Sequence, residues 1–481
     1  MPDIPEALLN SLKNVAGFDR DAFERVHTQK EQLTSIRLNP LKMPATDVFS
    51  KNGFSVIGGK VPWTDFGYYL SERPSFTFDP LFHAGCYYVQ EASSMFLEQA
   101  MKQLTDLSAP LKVLDLCGAP GGKSTHLQSL ISPDSLLVTN EVIKSRSNIL
   151  KDNVVKWGAA NVLVTNNDPA AFKKLKGYFD VIVTDAPCSG SGLFRRDEDA
   201  IGEWSLNNVQ LCSQRQQRIL SDVLPCLKKD GLLIYSTCSY SREEDEDIAD
   251  WLVNQFNLKN ERLDISSEWN IILSESPATK SAGYRFYPFR LKGEGFYMVC
   301  FRNKSDGSNE SKMSNESKGL NKSYKLKGGN QIEKVSGKER NILSIWVNDK
   351  LSELWKENGA FFALREAFIT EYAQLKNYLN IIYKGTTAGQ IMKDKLVPDH
   401  SLALSNILSN DIPVIDLGYE QAVKYLQRQD LNIQPVTIGW QVVRYKNHNI
   451  GWINALPNRI NNYYPKELRI LKQTNDAGFE K

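Results

Sequence analysis

Between about residue 110 and residue 302, short apolar runs alternate with helical stretches. The runs Lys112–Leu116, Leu136–Thr139, Val162–Thr165, Val181–Thr184 and Leu232–Ser236 read as buried strands, and this alternation predicts a parallel sheet covered by helices, an α/β fold. Tyr284–Pro288 and Gly295–Phe301 read as a closing hairpin, with Lys292-Gly293-Glu294 near its turn. Residues 1–105 mix short helical and extended patterns, as a small α/β domain would. Residues 303–340 change character: Ser, Asn, Lys and Gly dominate, and too few apolar side chains remain to offset the entropy of ordering. This stretch is expected to be a flexible linker. From 341 to 481 apolar and aromatic residues return. Asn358-Gly359 between Leu354-Trp355 and Phe361-Phe362 is a hairpin signal, and a second hairpin is expected from Gly439–Tyr445 to Ile450–Ile453. The expected organisation is therefore 1–105, a central domain over 106–302, a linker over 303–340 and a strand-rich region over 341–481.

Composition narrows the class only slightly. Hydrophobic content of 41% and charged content of 24% are those of a soluble globular chain. No apolar run is long enough for a membrane helix, and the first residues lack the pattern of a secretory signal. Seven cysteines without an export signal point to reduced thiols in the cytoplasm, and without a C-x-x-C pair no metal site is expected. A net charge of +2 leaves room only for a local basic patch.

The chemistry begins at Val113-Leu114-Asp115-Leu116-Cys117-Gly118-Ala119-Pro120-Gly121-Gly122-Lys123-Ser124-Thr125: a strand, a glycine-rich turn and a helix start. Gly122-Lys123-Ser124 suggests a phosphate-binding loop, but that motif needs a glycine where Cys117 stands, so the loop is one residue short. The dinucleotide pattern of three spaced glycines also fails. S-adenosylmethionine fits better, since it offers a ribose diol, an adenine and a cationic sulfonium instead of phosphate. Glu141, Asp168 and Asp185 follow the second, third and fourth strands and supply acids at strand ends, where parallel sheets bind ligands.

Two cysteines, Cys188 and Cys238, lie just past strands expected to be neighbours, in Asp185-Ala186-Pro187-Cys188-Ser189-Gly190 and Ser236-Thr237-Cys238-Ser239. Cys212, Cys226 and Cys300 read as inert buried residues. A thiol is needed where methyl transfer goes to carbon 5 of cytosine. A thiolate adding at carbon 6 makes carbon 5 nucleophilic, and a base then removes the carbon 5 proton as the thiol leaves. Asp185, protonated in a desolvated pocket, is the expected partner of N3.

These segments resemble the RNA 5-methylcytosine methyltransferases of the NOL/NOP/Sun group, and Arg37–Lys42 and Tyr88–Met95 match segments that precede the catalytic fold there. The resemblance covers roughly residues 30–302. It implies a Rossmann-like S-adenosylmethionine-dependent methyltransferase core with Cys238 as nucleophile, Cys188 assisting product release, and Asp185 and Lys123 in the catalytic set. Cys117, Gly118, Ala119, Pro120, Gly121, Gly122 and Lys123, with Glu141, Asp168 and Asp185, would bind the cofactor, and Arg146 would orient Glu141. The segments Tyr383–Gly389, Pro398–Leu404 and Gly451–Pro465 are similar to the tail of a bacterial small-subunit rRNA methyltransferase subfamily, a PUA-like RNA-binding region.

That second resemblance implies 16S rRNA or the small ribosomal subunit as partner of a monomeric enzyme, with transfer RNA as the alternative substrate. A non-catalytic ribosome-assembly factor is the alternative of a different class, and it conflicts with the intact cysteines and glycine loop. Reaching carbons 5 and 6 together requires an unstacked cytosine. Arg195 and Arg196 are candidates for phosphate contact. So are Arg444, Lys446, Arg459, Lys466, Arg469 and Lys472, with Tyr445, Trp452, Tyr463 and Tyr464 for base stacking. His126, His400 and His448 read as structural or solvated.

Overall fold

The computed structural model describes residues 4–29, 33–43, 57–305, 323–325, 331–348, 353–435 and 437–472. Near the N-terminus, strands β1 (Thr34–Leu38), β2 (Ile57–Lys60), β3 (Gly67–Leu70) and β4 (Tyr87–Val89) form a small sheet in the order β2-β3-β1-β4. The helices Glu6–Ser11 and Arg20–Thr28 precede it and place Leu8, Leu9 and Phe23 against Phe194, Trp204 and Tyr240 of the central domain.

The central sheet is built from parallel strands β5 (Lys112–Asp115), β6 (Leu136–Asn140), β7 (Val162–Thr165), β8 (Phe179–Asp185) and β9 (Leu227–Thr237). Val113, Leu114, Leu137, Val138 and Ile182 are fully buried, because helices cover both faces; that is why the strands read as continuous apolar runs. The spatial order is β7-β6-β5-β8-β9, so the chain reverses direction across the sheet between β5 and β8. In open α/β sheets the crevice at such a switch point is where ligands sit. Strands β10 (Leu258–Glu261), β11 (Ile272–Glu275), β12 (Ala282–Phe286) and β13 (Phe296–Asn303) complete this side. β12 and β13 form the expected antiparallel hairpin, with Tyr284 opposite Met298, and β13 zips antiparallel onto β9.

Farther along are β14 (Ser323–Lys325), β15 (Gln331–Lys334), β16 (Glu353–Glu357), β17 (Ala360–Leu364), β18 (Ile381–Lys384), β19 (Thr386–Met392) and β20 (Lys395–Pro398). Asn358 and Gly359 both take positive φ, 50° and 78°, the left-handed pair that a tight two-residue hairpin between β16 and β17 requires. A last sheet joins β21 (Val414–Asp416), β22 (Gly439–Tyr445), β23 (His448–Leu456) and β24 (Arg459–Asn462).

Two features depart from the sequence reading. Residues 306–322 and 326–330 of the expected linker lie outside the described residues, but its end carries β15 and the start of the helix Gly337–Leu343. Two apolar residues there, Ile332 and Val335, are buried and anchor the stretch. The strand-rich region also joins the central sheet: β18 pairs antiparallel with the edge strand β7, Ile381 opposite Thr165. Trp355, Phe362 and Phe368 share one apolar cluster with Phe172 and Phe179.

Candidate active site

The turn after β5 is shaped by its glycines. Gly121 takes φ +117°, and a side chain on Gly118 would meet Thr139 Oγ1 at 2.2 Å. The backbone therefore lies flush against the ends of β5 and β6, with Gly118 N–H donating to the Asn140 carbonyl at 2.7 Å. Asp115, fully buried at the end of β5, accepts a hydrogen bond from Ser124 Oγ at 2.6 Å on Oδ2. Its other oxygen has no protein partner, and burial pushes its carboxyl up to about 7. Sequence reasoning passed over Asp115; its place at the end of the first strand, inside the motif, was the available signal.

Glu141 follows β6 and is buried, accepting from the Ile143 amide at 2.9 Å. Arg146 lies 3.6 Å from the Glu141 carboxylate and donates to the Ala119 carbonyl at 3.0 Å, joining the acid to the glycine turn. Asp168 is more exposed. It caps the helical turn Pro169–Lys174 through the Ala170 amide and lies 3.4 Å from Arg218. Asn140 exchanges hydrogen bonds with the backbone of Asn167, which keeps the β7 loop beside the end of β6.

The crevice suits S-adenosylmethionine. The glycine turn leaves backbone open, the flanking side chains are carboxylates, and the unpartnered Asp115 oxygen is a buried acceptor of the kind a bound ligand would satisfy.

Asp185 departs from expectation. In place of a desolvated pocket, its side chain is about a third exposed, lies 2.9 Å from Lys123 Nζ, and accepts from Ser236 Oγ at 2.7 Å. Burial pulls the Lys123 ammonium down, but the charge and hydrogen bond of Asp185, with the nearby Asp115 and Cys238, together outweigh this and raise it. The cationic partner, one residue into the helix Gly122–Leu130, was not visible from the order of residues around Asp185.

Cys188 and Cys238 come together with sulfurs 3.0 Å apart. The hydrogen bond between the two thiols, followed by burial, holds the Cys188 thiol well above its ordinary value. Glu244 joins the two loops. Its buried carboxylate accepts from the Ser189 amide (2.8 Å), Ser189 Oγ (2.5 Å), Ser239 Oγ (2.6 Å) and Gln216 Nε2 (3.3 Å). Glu244, Asp245 and Glu246 are all buried, and what sets Glu244 apart within Arg242-Glu243-Glu244-Asp245-Glu246 is that its donors come from both cysteine loops. Arg37 reaches in from the N-terminal sheet and donates to Thr125 Oγ1 at 2.6 Å, the Gly122 carbonyl at 3.2 Å and Gln90 at 2.8 Å.

Cys86, Cys212, Cys226 and Cys300 are buried, Cys212 close enough to Glu244 and Cys238 for their charges to raise its thiol further after burial. Cys117 is only partly buried, and burial raises its thiol. Several expected RNA contacts do not hold. Arg195 is buried against Glu294 at 3.4 Å, while Arg196 is exposed. Trp452 and Tyr464, at 1% and 2% exposure, belong to the core and cannot stack on a base. Arg444 is held by Asp416 at 2.9 Å. Tyr463 keeps an exposed ring, and Lys446, Arg459, Lys466, Arg469 and Lys472 remain at the surface. His126 and His400 are buried.

Two thiols in contact, an ammonium–carboxylate pair beside them and an acid-lined crevice next door can support covalent catalysis with a neighbouring cofactor. Residues 104–302 match the family model described as 16S rRNA methyltransferase RsmB/F. Residues 4–92 match the N-terminal domain of 16S rRNA methyltransferase RsmF, and 412–470 the methyltransferase RsmF PUA domain. Ribosomal RNA small subunit methyltransferase F of Shewanella piezotolerans is 26% identical over 92% of both chains. The protein of that name from Aeromonas salmonicida is 28% identical over 90% of both. Among solved structures, a methyltransferase homolog protein from Pyrococcus horikoshii superposes with a TM-score of 0.50 at 27% identity, covering 62% of this chain and 100% of its own.

Proposed function

We propose that this chain, which matches the RsmB/F family model of 16S rRNA methyltransferases over residues 104–302, methylates carbon 5 of a cytosine in 16S rRNA with Cys238 as nucleophile. S-adenosylmethionine, held by the Cys117–Lys123 turn with Glu141 and Asp168, supplies the methyl group when bound. The observation that carries the reading is the 3.0 Å approach of the Cys188 and Cys238 sulfurs at the mouth of that crevice. Methylation of an amine or hydroxyl needs no thiol, whereas carbon 5 of cytosine must first be made electron-rich.

Cys238 adds as thiolate to carbon 6. Cys188, its thiol held protonated and in contact, is placed to donate a hydrogen bond to the Cys238 sulfur. The Lys123–Asp185 pair carries at Nζ the proton that the sequence reading placed on Asp185. Directed at the N3 side of the ring, it stabilises the charge that builds there. Once the methyl group is on carbon 5, a base takes the carbon 5 proton, the electron pair of that bond reforms the double bond between carbons 5 and 6, and Cys238 leaves as thiolate. Cys188 lies within reach of that end of the adduct and serves the release. Two touching thiols that must stay reduced suit the cytoplasm.

The test is to incubate the protein with labelled S-adenosylmethionine and 16S RNA or 30S particles, map methylated cytosines, and run denaturing gels. Wild type should form 5-methylcytosine, Cys238→Ala should be inactive, and Cys188→Ala should accumulate a covalent RNA complex. Full activity in Cys238→Ala would remove the nucleophile assignment. Methylation of transfer RNA alone would move the substrate.

A further inference from the structure

A shallow, open cleft lies between the N-terminal sheet and the segment that follows the Cys188 loop. Arg73, Arg196 and Lys292 line it, and all three are exposed. Among the described residues none of them is in an ion pair; Lys292 Nζ lies 6.0 Å from the Tyr69 ring, which also faces the cleft.

Two acids line the cleft as well. Glu91 is occupied, accepting from the amides of Ser93 (2.9 Å), Ser94 (2.9 Å) and Glu294 (2.8 Å). Glu294 differs. Only 4% exposed, it meets Arg195 with one oxygen at 3.4 Å, while Oε1 has no hydrogen-bond partner. Burial raises its carboxyl to about 7. An orphaned buried acceptor inside a cationic rim is a costly arrangement for a folded chain to keep unless something satisfies it.

The cleft adjoins the thiols. Gly192 N–H donates to the Cys238 carbonyl at 2.8 Å, and a side chain on Gly192 would meet the Gly295 carbonyl at 2.5 Å. The floor residue Glu294 is thus one position from backbone packed against the Cys238 loop. A bare anion suits the rim but is repelled by Glu294. A nucleotide suits both, with phosphate at the rim and a base donor at the floor.

We infer that this cleft seats the nucleotide adjoining the target cytosine on the same RNA strand, with Arg73, Arg196 and Lys292 toward its phosphates and Glu294 Oε1 accepting from its base. Extruding one base requires its neighbour to be held, and this cleft is placed to do so. The inference rests on RNA being the substrate, as proposed above.

The probe is a synthetic RNA fragment carrying the cytosine that wild type methylates, intact or with an abasic nucleotide on its 5′ or 3′ side. Binding is read by fluorescence anisotropy across salt concentrations, and methyl transfer in the same samples. Arg196→Ala and Lys292→Ala should each weaken RNA binding about tenfold and lower the salt slope by about 0.7. Affinity for S-adenosylmethionine should not change. An abasic nucleotide on one side should weaken wild type and add nothing to Glu294→Gln. Wild-type RNA affinity and salt slope in both cation variants would overturn the inference, as would abasic nucleotides on either side that cost wild type nothing. If wild type transfers no methyl group to 16S RNA or 30S particles, the proposed function fails. In that event loss of 16S RNA binding in the two cation variants still supports the cleft as an RNA contact, and unchanged binding overturns it.

Discussion

Replacing Glu244 tests whether the two cysteine loops are held together by one buried carboxylate. Glu244→Ala removes the acceptor for the Ser189 amide, the Ser189 and Ser239 hydroxyls and Gln216. The hydroxyls can turn toward each other, since they lie 3.4 Å apart, and Gln216 keeps the Pro187 carbonyl at 3.0 Å. The Ser189 amide cannot turn, and stranding it costs about 1–3 kcal/mol. The cavity left by the carboxyl adds about 1 kcal/mol. Against this, the variant no longer buries a carboxyl whose pKa burial raises, which returns part of the cost. The expected loss of stability is about 2–3 kcal/mol by urea denaturation. Glu244→Gln keeps the volume and one acceptor and should lose about 1 kcal/mol. Because Glu244 touches the thiol loops and not the cofactor turn, Glu244→Gln should lower kcat about tenfold or more while leaving KM for S-adenosylmethionine unchanged. The reasoning fails if Glu244→Ala is as stable as wild type and methylates RNA at the wild-type rate.

Gly118→Ala would drive a methyl group into Thr139 Oγ1 at 2.2 Å and Ser124 Oγ at 2.8 Å. It should weaken S-adenosylmethionine about tenfold in titration calorimetry without unfolding the chain. Burial lowers His400 to about 3, from an ordinary value of 6.5. The stability this contributes is present above about pH 6.5 and is lost as pH falls toward 3, where the unfolded chain takes up the proton first. His400→Gln should therefore lose less stability than wild type between those values, and parallel urea midpoints would refute this. Deleting residues 303–481 uncovers Phe172 and Phe179 and frees the β7 edge. It also removes Asn380, whose carbonyl accepts from the Asn166 amide at 3.0 Å and whose amide donates to Asn167 Oδ1 at 2.9 Å. The truncated chain should aggregate in size-exclusion chromatography and bind S-adenosylmethionine more weakly; a monomer of wild-type affinity would contradict this.

The order of residues determined what local rules can express. Apolar runs buried on both faces announced β5 to β9, Asn358-Gly359 announced its hairpin because few residues take two positive φ angles in succession, and the glycine turn with two cysteines past strand ends announced the chemistry. Tertiary structure decided whatever depends on partners distant in the chain. Lys123 meets Asp185 from another segment, so a carboxyl expected to hold a proton is ion-paired. Glu244 lies in a charged run and Asp115 in a familiar motif, yet burial gives the first four donors and leaves an oxygen of the second open. Arg195, Trp452 and Tyr464 have the composition of an RNA surface but are buried, because composition does not say which face of an element is covered. β18 reads as any short strand; its partner is β7, more than two hundred residues away, because an exposed sheet edge is satisfied by whichever strand the fold brings to it.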